Sequence, residues 1–213
     1  MKLGEIKLEA LMMISPSDEL RCDSENDAEL RERIFQLKEN SNYSDYLASM
    51  PGAINRCFSS LESKGVVPSK SYDLDIAKAK TRGSRLMFDL SEIEDLGRID
   101  RIAFYSDYGD NECCDYSHEG DSRILLENKH GVYVVVYTPV IPRIMQITDD
   151  AKKIALPEDV AELIPYFVKS EILRIENEAE AAASRNVYEG MAEELQCKYQ
   201  GYQGAVSTVY RVM

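Results

Sequence analysis

The sequence predicts an α+β protein in which a small antiparallel β domain interrupts a set of helices. Three observations lead there. Both ends of the chain carry apolar residues at helical spacing, the middle alternates as strands do, and a strong helix start near Leu156 marks a return to the first pattern.

The first helix is predicted over residues 2–14, where Leu3, Ile6, Ala10, Leu11 and Ile14 share one face and Ser15-Pro16-Ser17 ends the run. Residues 16–28 are polar and turn-rich and read as a loop. Residues 27–39 hold few apolar anchors and predict a helical turn or two. The next helix is stronger: from Ser44 to Lys64, Tyr46, Leu47, Met50, Ala53, Ile54, Cys57, Phe58 and Leu61 keep the period. Pro51-Gly52 predicts a kink or a fresh start within it, and Gly65 a C-terminal cap.

From Val66 the spacing changes. Tyr72 to Ile76, Arg85 to Leu90 and Arg98 to Tyr105 alternate. The clearest hairpin joins a strand at 123–127 to one at 132–137 through Asn128-Lys129-His130-Gly131, with Gly131 free to take the positive φ of a turn. Several short strands with turns between them predict a sandwich or barrel.

At Leu156 the helical pattern resumes. Pro157 stands at the first helical position, and Glu158 and Asp159 face the positive end of the dipole. Val160, Leu163, Ile164, Phe167, Val168, Ile172 and Ile175 fall on one broad face. That face is predicted to be buried against the N-terminal helices, with a kink where Pro165 removes the bond to the Ala161 carbonyl. An acidic link, Glu176 to Glu180, leads to a last helix ending near Tyr199, and GYQGAVSTVYRVM then reads as an extended arm. The predicted organisation is residues 1–65 as N-terminal helices with a polar insertion at 15–43, 66–147 as the β domain, 148–200 as C-terminal helices and 201–213 as the arm.

The formal charge of −13 argues against a protein that grips phosphate backbones, though an acidic wall suits one that lets DNA pass. Five scattered cysteines, a charge-interrupted N-terminus and no apolar run near the roughly 18 residues of a membrane helix predict a soluble cytoplasmic product with reduced thiols. The densest reactive cluster, Asn111 to Asp121, holds Cys113, Cys114, Asp115, His118 and Glu119. Its spacing matches no metal motif, because adjacent strand residues point to opposite faces. His118 and His130 are predicted as exposed turn residues, and Glu158, Glu162, Glu171, Glu193 and Glu194 as solvated helix faces. No catalytic, cofactor or metal residue is assigned. Tyr133 and Tyr137 are expected inside the sheet, while Tyr202 and Tyr210 belong either to a protein interface or to a frayed tail.

Taken in order, GEIKLEALMMI, DYLASMPGAINRCFSSL, DLSEIEDLGRIDRIAFY, GVYVVVYTPVIP and ITDD…LPEDVAELIPYFVKSEIL…AAASRNVYEGMAEEL resemble the head–tail connector, or adaptor, proteins of tailed bacteriophages, including the tail tubular relatives of short-tailed phages. The resemblance covers roughly residues 1–200 and lies in the order of pieces. It implies a helical bundle from both chain ends with the β domain inserted. It also implies a ring, typically a dodecamer, docked on the portal protein, extending the DNA channel without specific DNA binding and receiving a tail or stopper protein. Localisation would be the virion, assembled in the bacterial cytoplasm, from a phage or a prophage. In such proteins the C-terminal segment clasps the portal or a neighbour; here that role would fall to Gln203 through Met213, with Tyr202, Gln203, Val206, Val209, Tyr210 and Val212 as the expected interaction residues. The polar insertion at 15–43 departs from the simplest connectors. Other readings are a tail-completion or assembly factor, a metal-dependent hydrolase using the 111–121 cluster, and a nucleic-acid-binding regulator, which needs a basic stripe the sequence does not offer.

Overall fold

Apolar spacing in the chain builds two separate cores. The computed structural model describes residues 1–22, 26–106 and 111–208, the last nine by their backbone path alone. One compact unit joins Met1–Val67 to Ile141–Met213, and the other is Pro68–Val140.

In the first unit, α1 (Leu3–Ile14) buries Leu3, Ile6, Ala10 and Leu11. α2 (Asp27–Glu39) is a full helix of 13 residues, longer than the turn or two expected. Its three apolar anchors suffice because Leu30, Ile34 and Leu37 repeat at i, i+4 and i+7 and all enter the core. Asn26 caps it, its Oδ1 accepting from the Ala28 and Glu29 N–H groups at 3.1 and 3.3 Å. Leu20 and Tyr43 join the same core, so the polar insertion is a packed part of this unit.

α3 (Ser44–Lys64) runs unbroken through Pro51. The proline deprives the Leu47 carbonyl of its helical donor, but Met50, Ala53, Ile54, Cys57, Phe58 and Leu61 hold the helix on the core. Gly65 ends it at φ 66°, a left-handed conformation that disfavours a side chain. The Gly65 N–H reaches the Glu62 and Leu61 carbonyls, and the Val66 N–H reaches that of Leu61 at 3.2 Å.

The second unit is a sandwich of two four-stranded antiparallel sheets, ordered β1-β8-β4-β5 and β2-β3-β7-β6. The strands are β1 (Lys70–Leu74), β2 (Lys80–Arg82), β3 (Arg85–Asp89), β4 (Leu96–Ser106), β5 (Asn111–Cys113), β6 (Ser117–His118), β7 (Arg123–Glu127) and β8 (Gly131–Pro139). β7 and β8 have the expected bounds to within two residues, but they do not form the predicted hairpin. β7 pairs with β3 and β6, whereas β8 pairs with β1 and β4. The segment between them is a corner from one sheet to the other. Ile124 and Leu126 face Tyr133, Val135 and Tyr137 across the shared core, and that burial outweighs local pairing. Gly131 (φ 153°) permits the corner, since a Cβ there would lie 2.2 Å from the Tyr105 carbonyl oxygen.

After the sandwich, residues 141–148 strap along α3, which is why the β unit ends before the expected boundary at 147. The Asn55 side chain bonds both the N–H and the carbonyl of Ile144 at 2.8 Å. Arg143 reaches Glu62 at 2.8 Å, and Gln146 reaches the Ala48 carbonyl at 2.7 Å. The chain then closes on α1: the Leu3 N–H bonds Lys152 O at 2.9 Å, Gly4 N–H bonds Asp150 O at 2.7 Å, and Ile154 N–H bonds Met1 O at 3.1 Å. Lys7, only 2% exposed, meets Asp150 at 2.5 Å. Arg31 of α2 forks onto Asp149 through two 2.7 Å bonds.

The Arg31 bonds, with the Ala151 N–H, hold the Asp149 carboxyl down at about 2. A depressed carboxylate contributes fully above its unfolded value near 4 and loses that contribution as pH falls through its folded value. NMR titration of Asp149 is therefore expected to show a midpoint near 2 that returns toward 4 in Arg31→Met. An unchanged midpoint in the variant would remove the fork as its cause.

Pro165 does more than kink the returning helix. The segment splits into α4 (Glu158–Ala161) and α5 (Ile164–Leu173), with Pro157 just ahead of the first turn. Val160, Leu163, Ile164, Phe167 and Val168 are buried as expected, but Ile175 lies past the helix end and is 91% exposed. α5 packs on α1 and α3, and Lys169 Nζ donates to the Met13 carbonyl at 2.7 Å.

Candidate functional site

Three of the residues singled out for interaction, Tyr202, Gln203 and Val206, lie on α6 (Glu178–Thr208), a helix of 31 residues, about 46 Å long at 1.5 Å per residue. Asn177 starts it: its Oδ1 accepts from the Glu180 N–H at 3.2 Å, and its Nδ2 donates to the Glu180 carboxylate at 3.0 Å. Tyr188 anchors the middle, fully buried, edge-on to Phe167 at 5.0 Å, with its hydroxyl donating to Ser60 Oγ at 2.8 Å. Arg185 lies 4.3 Å over the Phe167 ring and donates to Glu189 at 3.0 Å. Burial pushes the Tyr188 phenol and the neighbouring Cys57 thiol up, so neither offers an anion at neutral pH. Further along, Lys198 and Tyr199 both bond Asp159 ahead of α5, at 2.6 and 3.1 Å. Burial works against the Asp159 anion, but these bonds outweigh it and hold the carboxyl below its usual range.

The helix does not end near Tyr199, and residues 201–208 are not extended; this corrects the expected arm. Tyr202, Gln203 and Val206 stand on the last helical turns. Once a helix is nucleated, each further residue adds a backbone bond, and the roughly 1 kcal/mol handicap of Gly201 or Gly204 does not stop it. Tyr202 and Val206, four positions apart, continue the spacing of Leu195 and Tyr199, which pack on the core. Val209, Tyr210 and Val212 lie outside the described residues.

The reactive cluster is dispersed across the sandwich. Cys113 ends β5 and is exposed, whereas Cys114 turns toward the core, where burial and Glu112 raise its thiol. His118 is exposed on β6 and not in the expected turn, its ring 5.3 Å from that of Tyr116, and His130 is exposed at the β7–β8 corner. Among the described residues no group of three His, Cys, Asp or Glu side chains converges as metal ligands would. None of the five cysteines is in a disulfide, and no described helix is long and apolar enough to cross a membrane.

Two concave sites stand out among the described residues. A groove of about 300 Å³ between α5 and α6 has Ala181 and Ala182 among its lining and Glu171, Arg174, Glu178 and Arg185 around them. A cavity of about 240 Å³ in the sandwich is lined by Leu90, Ile99, Tyr116, His118 and Ile124. It is smaller than typical cofactor pockets, which start near 300 Å³.

Sequence reading missed two surface features. Phe35, Met145 and Ile147 are 60%, 63% and 87% exposed. Phe35 stands between Arg31 and Lys38 on one stripe of α2, and those two residues hold Asp149 and Asp150. The second feature is a short basic element. Lys78, Lys80, Arg82 and Arg85 gather on and beside the β2–β3 hairpin, whose cations were visible in the sequence as a run without acids. No protein-family model matches this chain, and no curated protein sequence matches it.

Proposed function

We propose that this chain is a virion structural protein, a head-to-tail connector that assembles as a ring on the portal of a tailed bacteriophage and extends its DNA channel. The observation that carries the reading is the discontinuous helical unit. Residues 1–67 and 141–213 share one unit, with an antiparallel β-sandwich inserted between them, which is the order of pieces that the sequence resemblance rests on. The formal charge of −13 supports a wall that DNA slides past. Raised thiols at Cys57 and Cys114 and dispersed histidines lend no support to a hydrolase.

On this reading α6 continues past its last anchor, Tyr199, to present Tyr202, Gln203 and Val206 to the portal or a neighbouring subunit. The test is co-sedimentation of the full chain with its cognate portal protein. A stable complex is expected, and deleting residues 201–213 should weaken it at least about tenfold, the loss of one or more interface anchors. Equal binding by both chains would remove the C-terminal role, and no complex with either would remove the connector. A tail-completion factor would instead bind only after the tail component is added.

A further inference from the structure

Between Ile76 and Phe88 the chain carries Lys78, Lys80, Arg82 and Arg85 and no acid, in a protein of formal charge −13. The fold places these cations on an open edge. β2 is the outer strand of its sheet, and Lys80 to Arg85 are all exposed. Register sets Arg82 directly opposite Arg85 across the Gly83–Ser84 turn, a like-charge pair that works against the hairpin itself. Lys78 is held by both oxygens of Glu92 at 3.0 and 2.9 Å, and Arg82 is paired with Glu119. Among the described residues Arg85 donates only to the neutral Ser117 hydroxyl, at 3.0 Å, and Lys80 has no ion pair. A lysine on an edge strand is enough to block edge-to-edge pairing; two opposed guanidinium groups at the tip are not required for that.

Guanidinium forks match carboxylates, and the chain supplies a carboxylate surface of its own. Glu193 and Glu194, neighbours on α6, are exposed and make no ion pair among the described residues. We propose that the β2–β3 hairpin of one copy docks on this carboxylate-bearing face of α6 in a second copy. The contact is heterologous, because the hairpin and α6 are different patches. Each copy therefore gives one contact and receives one, and the assembly closes as a ring or runs on as a filament. The inference rests on the reading of the chain as a ring subunit and supplies the subunit contact for it. A second copy is favoured over a nucleic-acid backbone by charge. Duplex DNA presents about one phosphate per 1.7 Å to an already acidic protein, whereas repulsion between copies is spread over side chains and screened within about 8 Å.

The test is reciprocal charge reversal in the full chain, read by sedimentation over a concentration series at physiological salt. Wild type is expected to self-associate. R82E/R85E and E193K/E194K should each weaken association at least about tenfold, as like-charge juxtaposition does. The quadruple variant, with both patches exchanged, should regain it, and circular dichroism should show every variant folded. A monomeric wild type, an R82E/R85E variant that associates normally, or a quadruple variant that stays monomeric overturns the contact. Duplex binding by wild type that R82E/R85E loses, with association unchanged, assigns the hairpin to nucleic acid instead. A monomeric chain that still binds the portal defeats this contact alone, whereas an assembling chain that ignores the portal defeats the connector reading alone.

Discussion

Tyr133→Ala is expected to destabilise the β-sandwich by about 3–5 kcal/mol, the range for truncating a buried aromatic side chain. Tyr133 is fully buried between the two sheets, with its ring centroid 5.7 Å from that of Phe88 on β3 and 4.9 Å from that of Phe104 on β4. It also ties down the corner between β7 and β8, because its hydroxyl donates to the Glu127 carbonyl at 2.5 Å and accepts from the Lys129 N–H at 3.0 Å. Alanine removes the ring that links both sheets and leaves those two backbone groups without their partner. Tyr133→Phe separates the parts: the ring stays, and the expected loss falls to about 1–3 kcal/mol for the unmade hydrogen bonds. Urea denaturation of the two variants checks this. An alanine variant within about 1 kcal/mol of wild type would mean that the corner is not held by this side chain.

Asp150→Ala should be the most damaging charge change, at roughly 3–5 kcal/mol. It leaves the Lys7 ammonium, 2% exposed and 2.5 Å from the lost carboxylate, without a counter-ion in the core. Lys38, 3.3 Å from the other carboxylate oxygen, loses its partner too, but it is exposed enough to be solvated. For a chain of this length the expected fall in melting temperature is about 10 °C, at about 2–4 °C per kcal/mol. Replacing both members, as in Lys7→Met with Asp150→Ala, should recover most of the loss, since the penalty comes from one stranded charge. If the double variant melts as low as Asp150→Ala, the pair matters through packing and the electrostatic account is wrong.

These two sites differ in how far they were legible beforehand. Tyr133 was expected inside the sheet from its alternation with valines. The pairing of Lys7 with Asp150 joins residues 143 positions apart, and neither position carries a local signal. α2 was underestimated because counting apolar residues hides their spacing: Leu30, Ile34 and Leu37 are few but aligned. Ile175 was overestimated because it keeps the helical period after the helix has ended. Of the interaction residues, Tyr202, Gln203 and Val206 were expected on an extended arm and stand on helix instead. The basic hairpin was overlooked because a charge of −13 averages over the run from Lys78 to Arg85.

By itself the sequence determined the type and approximate place of most elements, and so the α+β class. Helix and strand periods and the Gly65 cap are properties of a few neighbouring residues. The tertiary structure alone decided which elements belong together. β7 and β8 are adjacent in sequence and look like a hairpin, yet Ile124 and Leu126 bury against Tyr133, Val135 and Tyr137 from the opposite sheet. α2 became part of the core because its stripe found one, and the strap at 141–148 joined α3 because Asn55 and Glu62 were placed to satisfy its backbone. The physical reason is the same in each case. Burial and hydrogen bonding between distant segments outweigh local preference, and no short window of sequence contains both partners.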